Sequence, residues 1–493
     1  MPLLLILAAG LLLRLVVALL LPPGYDEAYY LFYGVHPALS YFDHPVGVGL
    51  WAWLGHSLPF GILGLRLPSL VSYTLASALL ALACRRWFGA AAALWTVVLS
   101  AVSPLLLLVG GVLLLPDAPL LLLLSACLWA LAVEAPLPLL GLLLGGLTLA
   151  KYQALPMLLS LLLWLLWQPL QRRRLLSPAG LGMGLAWLAA SSPLWLWNHS
   201  HGWVSFLFQG GRTLGGPWFD PAGPPLFLIS QVLALFPTIG VLLLLAAVPR
   251  PGDGAGQARS LLRTLALPQL LLFVLLAGRM QVLVSWLVPA WWLLLPLAGE
   301  RLAQAGQRRA GWLRWWRPLT LGVPPLLSLL AAAHVRFGLA SPLLPPTLDS
   351  SRELIAPQRL RRALQAQPEL WQQLSKARLI VGRRYYEPGF LALALGPDTR
   401  ATFTTFNRDA RGFAFWQPPG GFRGEGGILF SLRNPEEPTS LPEWAVALGP
   451  LEPLGHVDLE RGGQPAQVVE FWRFQPLRQS WPRAYGPAHR SGG

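Results

Sequence analysis

The sequence predicts an all-α polytopic membrane protein with a small α/β domain at its C-terminal end. Three observations lead there. Of 493 residues, 54% are hydrophobic and only 12% are charged, about half the charged share usual in a soluble domain. Apolar runs of 18 or more residues, each long enough to cross a bilayer, follow one another from residue 3 to about residue 338. Beyond that point helical and strand-like polar patterns take over, and the remainder holds 14 of the 22 acidic residues, the other eight lying before it.

At about 20 residues per span, roughly eleven transmembrane helices fit, centred near residues 12, 75, 98, 125, 143, 160, 187, 235, 270, 290 and 328. The first, Leu3 to Leu21, has no basic leader and no small-x-small cleavage site, so it reads as a helix rather than a signal peptide. With the N-terminus inside the cell, Arg85 and Arg86, then Arg172 to Arg174, then Arg250, Arg259 and Arg263, then Arg301, Arg308, Arg309, Arg314 and Arg317 all fall in inner loops. That is the positive-inside pattern. It accounts for the net charge of +15 without nucleic-acid binding. Cys84 and Cys127 lie within apolar runs, which argues against a disulfide framework.

The same topology sorts the carboxylates. Glu134, Asp253 and Glu300 fall inside; Asp26, Glu27, Asp43, Asp117 and Asp220 fall outside. The first outer loop runs from about 22 to 64, within a membrane domain of residues 1–338. In it Asp26, Tyr29, Tyr30 and Tyr33 follow helical spacing, and Gly47 to Leu58 is a short apolar stretch; both read as helices lying in the interface. Asp117, between Pro116 and Pro119, opens a helix at an outer turn. After the Pro/Ser-rich SPLLPPTLDS, residues 339–493 read as a soluble domain on the outer side. It begins with a polar helix near 352–375. RLIVG follows as a strand, PGFLALALG as a helix, and ATFTTF and GGILFSL as strands.

Several stretches resemble one group of proteins. DEAYY and YFDHP lie in the first outer loop, PDAPL precedes the fourth span, and WNHSHGWVSFLFQ precedes the eighth. RRYYEPGFLALAL and RDARGFAFW lie in the C-terminal domain. Together they are similar to bacterial membrane glycosyltransferases related to the protein O-mannosyltransferases and the aminoarabinose transferase of lipid A. The resemblance implies a GT-C fold, with the inner membrane as location and the active site on the periplasmic side. A sugar would pass, with inversion, from a polyprenyl-phosphate carrier to a hydroxyl of a lipid, glycan or protein. One departure is His-Pro-Val at 44–46, where a second proline is expected.

Such chemistry needs a base for the acceptor hydroxyl and positive charge beside the departing lipid phosphate. By its match to the Asp-Glu pair, Asp26 is the expected base and Glu27 a secondary group. Their plainer reading is charge at a helix N-terminus. Asp117 either faces Asp26 or simply caps its helix. Lys151, the only lysine in the membrane part, and Arg279 are outer-face cations that would clamp a phosphate. Snorkelling to the headgroups is the alternative for Lys151. Tyr41 and His44, from the YFDHP motif, are assigned to the donor phosphate. Asp43 with His201, in the His199-x-His201 pair, would hold Zn, Mn or Mg; turn formation and loop solvation are the alternatives. Trp203, Phe206 and Phe208 would line the donor groove or belong to an aromatic belt, and Arg14 is an intramembrane charge without an evident partner. The rival reading is a transporter or lipid flippase, which would carry ionisable groups at mid-membrane and broken helices in repeated halves.

Overall fold

The computed structural model describes residues 2–214, 218–250, 256–418 and 421–478, and the side chains of 212–214 are not among those described. Asp253 lies outside the described residues. The chain divides into two compact units. The first comprises Met1–Ala18, His44–Trp51 and Arg66–Leu329; the second comprises Leu19–Asp43, Ala52–Leu65 and Leu330–Gly493. Much of the first outer loop therefore belongs with the C-terminal residues, whereas the sequence grouped it with the membrane domain.

The first unit is helical. Ten of the eleven expected centres fall within single helices. The one near 235 falls at a break between Gly223–Leu235 and Pro237–Ala247. Pro237 supplies no N–H and disfavours a helical residue before it, which ends the first helix, and Phe236 adopts φ 77° at the break. Among the described residues five helices are long and apolar enough to cross a membrane alone: Pro2–Leu20, Ile62–Phe88, Pro178–Ser200, Gln257–Leu276 and Leu313–Phe337. Ala154–Trp167 joins them only together with Pro169–Leu175, from which it bends by 111°. Asp117–Ala132, Leu137–Ala150 and other apolar helices are shorter. The chain is a multi-pass membrane protein whose apolar segments are unequal in length.

Small residues set the helix spacing. Gly141 and Gly145 are four apart on Leu137–Ala150. A Cβ on Gly141 would sit 2.2 Å from the Met183 carbonyl oxygen, and one on Gly145 2.5 Å from Ala190 Cβ. The helix thus touches Pro178–Ser200 backbone to backbone, the small-xxx-small packing favoured in lipid. Several buried polar side chains find partners across helices, which an apolar medium favours. Trp291 Nε1 donates to Gln231 (2.9 Å) and Trp292 Nε1 to Ser125 (2.9 Å). Arg14 finds partners in the Thr74 hydroxyl at 2.8 Å and the Tyr73 ring, 4.7 Å from its guanidinium carbon.

Basic segments meet at one end of this unit. Arg259 Nε donates to Glu300 at 3.1 Å, its guanidinium lies over Phe88, and Arg86, Glu134 and Arg174 line one cavity. Asp117 opens the 16-residue helix that ends just before Glu134, so it stands about 24 Å away along the axis.

In the second unit the Tyr25–Val35 helix packs on a five-stranded sheet domain. Its strands are β1 (Leu379–Gly382), β2 (Thr402–Thr405), β3 (Gly427–Arg433), β4 (Leu451–Arg461) and β5 (Gln464–Phe474), in the order β2-β1-β3-β5-β4. β1 runs parallel to β2 and β3, while β5 runs antiparallel to β3 and β4. Three of the five match the expected strands. The β4–β5 hairpin is additional, and it turns on Gly462 and Gly463 at φ 60° and 72°, the pair a two-residue turn favours. The expected polar helix is two helices, Pro357–Gln365 and Pro368–Lys376. Ala28 shares a buried core with Leu360, Phe390 and Phe430. Gly389 permits the contact, since a Cβ there would meet the Ala28 carbonyl oxygen at 1.9 Å. The Pro/Ser-rich segment is tied down at Asp349, which accepts from Ser341 (2.9 Å), Ser351 (2.5 Å) and Arg461 (2.5 Å). Burial opposes ionisation of Asp349, but these donors hold its carboxyl well below the usual range.

Candidate active site

The second unit carries Asp26, Glu27, Tyr41 and Asp43. Glu27 is fully buried, and its Oε2 accepts from the Gly24 N–H at 3.0 Å. It closes the first turn of the Tyr25–Val35 helix, satisfying a donor that has no helical partner. The plainer reading of Glu27, charge at a helix N-terminus, has this hydrogen bond behind it. Tyr41 is 2% exposed, stacks on Tyr33 at 3.8 Å and donates to the Tyr33 carbonyl oxygen at 3.0 Å. These contacts tie it to the Tyr25–Val35 helix.

Asp43 is buried beneath the same helix. Its carboxylate accepts from the Tyr33 hydroxyl, from the Tyr29 hydroxyl at 3.2 Å, and from Arg411 Nη1 at 3.4 Å. Burial and the Asp43 charge push the Tyr33 phenol well above its ordinary range, so it stays a donor. Burial would lower the Arg411 pKa, but Asp43 and Tyr385 outweigh it and keep the guanidinium charged. Among the described residues no group of three or more side chains could hold a metal ion. A carboxylate saturated by two phenols and a guanidinium is a poor metal ligand, so the donor set does not fit the expected Zn, Mn or Mg.

Asp26 is different. It is half-buried on the first turn of its helix, and the Tyr385 hydroxyl donates to its Oδ1 at 3.3 Å. Tyr385 lies flat under the Arg411 guanidinium, 3.6 Å from carbon to ring centroid. Tyr29 in turn accepts from the Gly412 N–H at 2.8 Å. Arg411 adopts φ 47°, a left-handed conformation that costs a non-glycine residue roughly 1 kcal/mol. Tyr385 and Arg411 received no role from the sequence, although RRYYEPG and RDARGF stood out in it.

The first unit carries the remaining candidates. Lys151 Nζ donates to both Asp117 oxygens, at 2.9 and 3.0 Å, and both residues are buried. The pair explains why one lysine and one carboxylate persist at helix ends where topology calls for neither. Arg279 is exposed. His44 is half-buried beside the start of Val46–His56. His201 stacks on Trp197 at 4.0 Å and its Nδ1 lies 2.8 Å from that residue's carbonyl oxygen. Phe206 is enclosed by Tyr152, Trp195 and Trp203, which supports aromatic packing for it and for Trp203.

Comparison with known proteins places this geometry. The dolichyl-phosphate-mannose-protein mannosyltransferase family matches residues 43–197. No curated protein matches the chain. Among solved structures, ArnT from Cupriavidus metallidurans bound to undecaprenyl phosphate is similar at 16% identity and a TM-score of 0.58, covering 95% of this chain and 97% of its own. The same protein in the apo state gives a TM-score of 0.59 with the same identity and coverage. The chain has the GT-C fold and resembles the mannosyltransferases and the aminoarabinose transferase.

Proposed function

We propose that the protein transfers a sugar from a polyprenyl-phosphate-linked donor to a hydroxyl acceptor at the outer face of the inner membrane. Asp26 is the base. Its carboxylate takes the acceptor's hydroxyl proton as that oxygen attacks the anomeric carbon. The bond from that carbon to the phosphate oxygen breaks, and the polyprenyl phosphate leaves with the electron pair. A lipid phosphate is a weak base, so its departure needs no proton but does need nearby positive charge. Arg279 and His44 are the cations that the sequence offers for that role.

The observation that carries the reading is the contrast among three carboxylates on one stretch of chain. Glu27 caps a helix and Asp43 is saturated by Tyr33, Tyr29 and Arg411. Asp26 is half-buried on the first turn of its helix and accepts from the Tyr385 hydroxyl. The likeness to ArnT, whose structure was solved with undecaprenyl phosphate bound, supports a lipid-phosphate donor.

The test is sugar transfer from a radiolabelled polyprenyl-phosphate donor in liposomes. Asp26→Asn should lower turnover by at least ~10²-fold, the contribution typical of a positioned base, while the protein remains folded. Turnover near that of the wild type would remove Asp26 from the chemistry.

A further inference from the structure

We propose that a cavity at the basic end of the first unit binds the headgroup phosphate of an anionic phospholipid. The cavity measures about 290 Å³ and is lined by Arg86, Trp87, Glu134, Trp164, Gln171 and Arg174, with leucines from Asp117–Ala132 and Leu137–Ala150 behind them. It is remote from Asp117, which stands at the other end of the same helix, and the inference does not depend on the proposed transfer reaction.

The sequence builds this cavity from separate places along the chain, Gln257, Ala258 and Leu261 among them. Arg86 and Trp87 end Ile62–Phe88. Glu134 turns the chain after Asp117–Ala132 at φ 53°. Gln171 and Arg174 come from Pro169–Leu175, the short helix bent 111° from the apolar helix before it. Trp164 sits near the end of that apolar helix and donates from Nε1 to Ser260 at 3.1 Å.

The lining has the chemistry of an amphiphile site. Leucine and tryptophan walls suit acyl chain and glycerol, while guanidinium groups at the mouth match a phosphodiester. Two arginines face one carboxylate. Arg174 is 3.7 Å from Glu134, with side-chain exposures of 35% and 77%, a surface pair that contributes little. Arg86 is exposed and makes no ion pair or hydrogen bond among the described residues. The net charge is therefore +1, which one phosphodiester neutralises. Glu134 already faces Arg174, so an ammonium headgroup gains no carboxylate of its own. Basic pockets between transmembrane helices on the inner side are where anionic headgroups collect.

Native mass spectrometry of the whole protein, delipidated and then exposed to defined lipids, tests this. Phosphatidylglycerol should be retained about tenfold more than phosphatidylcholine. R86Q/R174Q should abolish the preference. R172Q/R173Q, which removes two exposed arginines of the same helix that do not line the cavity, should keep it. Ala135→Trp, which narrows the cavity and leaves its arginines in place, should also lose retention and reads the site if the double arginine variant fails to fold. Equal retention of both lipids, or equal loss in the two double variants, would overturn the proposal. Displacement of the lipid by glycerol phosphate at matched concentration would overturn the lipid as the source of the phosphate.

Discussion

Asp26 and Glu27 are adjacent, yet helix geometry points one toward solvent and turns the other back to its own N-terminus. The acidic pair was readable in the sequence; the division of labour within it was not, because it depends on what the C-terminal domain presents. Tyr385 reaches Asp26 across 359 positions of sequence, and Arg411 reaches Asp43 across 368. No local pattern reports such contacts. Tyr385→Phe should raise KM for the acceptor and shift the acid limb of the pH–rate profile upward, since the Asp26 carboxylate loses a donor, while kcat falls less than in Asp26→Asn, as expected of a positioning group. Steady-state kinetics across pH checks this, and a profile identical to the wild type would contradict it. Lys151 was legible as exceptional but its partner was not. Truncating it to Ala strands a buried carboxylate, and breaking a buried pair costs about 3–5 kcal/mol. Lys151→Ala should therefore lower the melting temperature sharply, and Lys151→Met with Asp117→Leu should recover most of the loss. A stable single variant would show that the pair does not hold these helices.

At the scale of elements, the Tyr25–Val35 helix was predicted from its tyrosine spacing, whereas its seat on the sheet domain rests on Gly389. Gly389→Val would drive methyl groups into the Ala28 carbonyl, 1.9 Å from the Cβ position. Protease resistance of the 22–43 stretch should be lost; wild-type resistance would contradict this packing. The helix beginning at Glu387 adds a pH signature. Burial pushes that carboxyl up to about 8, against the Arg383 N–H that it accepts at 2.7 Å. The folded state thus holds the proton more tightly than the unfolded chain. The stabilisation is complete below about pH 4.5, declines as pH rises, and is gone above about 8. At about 1.4 kcal/mol per pKa unit, the loss is at most roughly 5 kcal/mol. Glu387→Gln should flatten this decline, read as melting temperature against pH; an unchanged slope would contradict it. The β4–β5 hairpin was signalled by Gly462–Gly463 between alternating residues. The break at Phe236 was signalled only by Pro237, one proline among many in these helices.

For the whole molecule, the distribution of arginines carried most of the topology, because inner loops attract them whatever their sequence context. The structure brings Arg86, Arg174 and Arg259 to one end of the first unit. Membrane-impermeant maleimide can test the sidedness, since Cys84 and Cys127 are buried and give no background. Cysteines replacing Arg173 and Trp218, both exposed, should label from opposite sides of the membrane, and labelling from the same side would contradict the topology. Grouping of the first outer loop with the C-terminal domain was not legible, because apolar runs define spans but not which loop docks where. The central claim is that this protein consumes a lipid-linked sugar rather than moving it intact. Purified protein in liposomes, supplied with doubly labelled polyprenyl-phosphate sugar and envelope lipid and glycan acceptors, answers it directly. The account predicts release of sugar-free polyprenyl phosphate in step with a glycosylated acceptor. Donor recovered intact, on either leaflet, would contradict it.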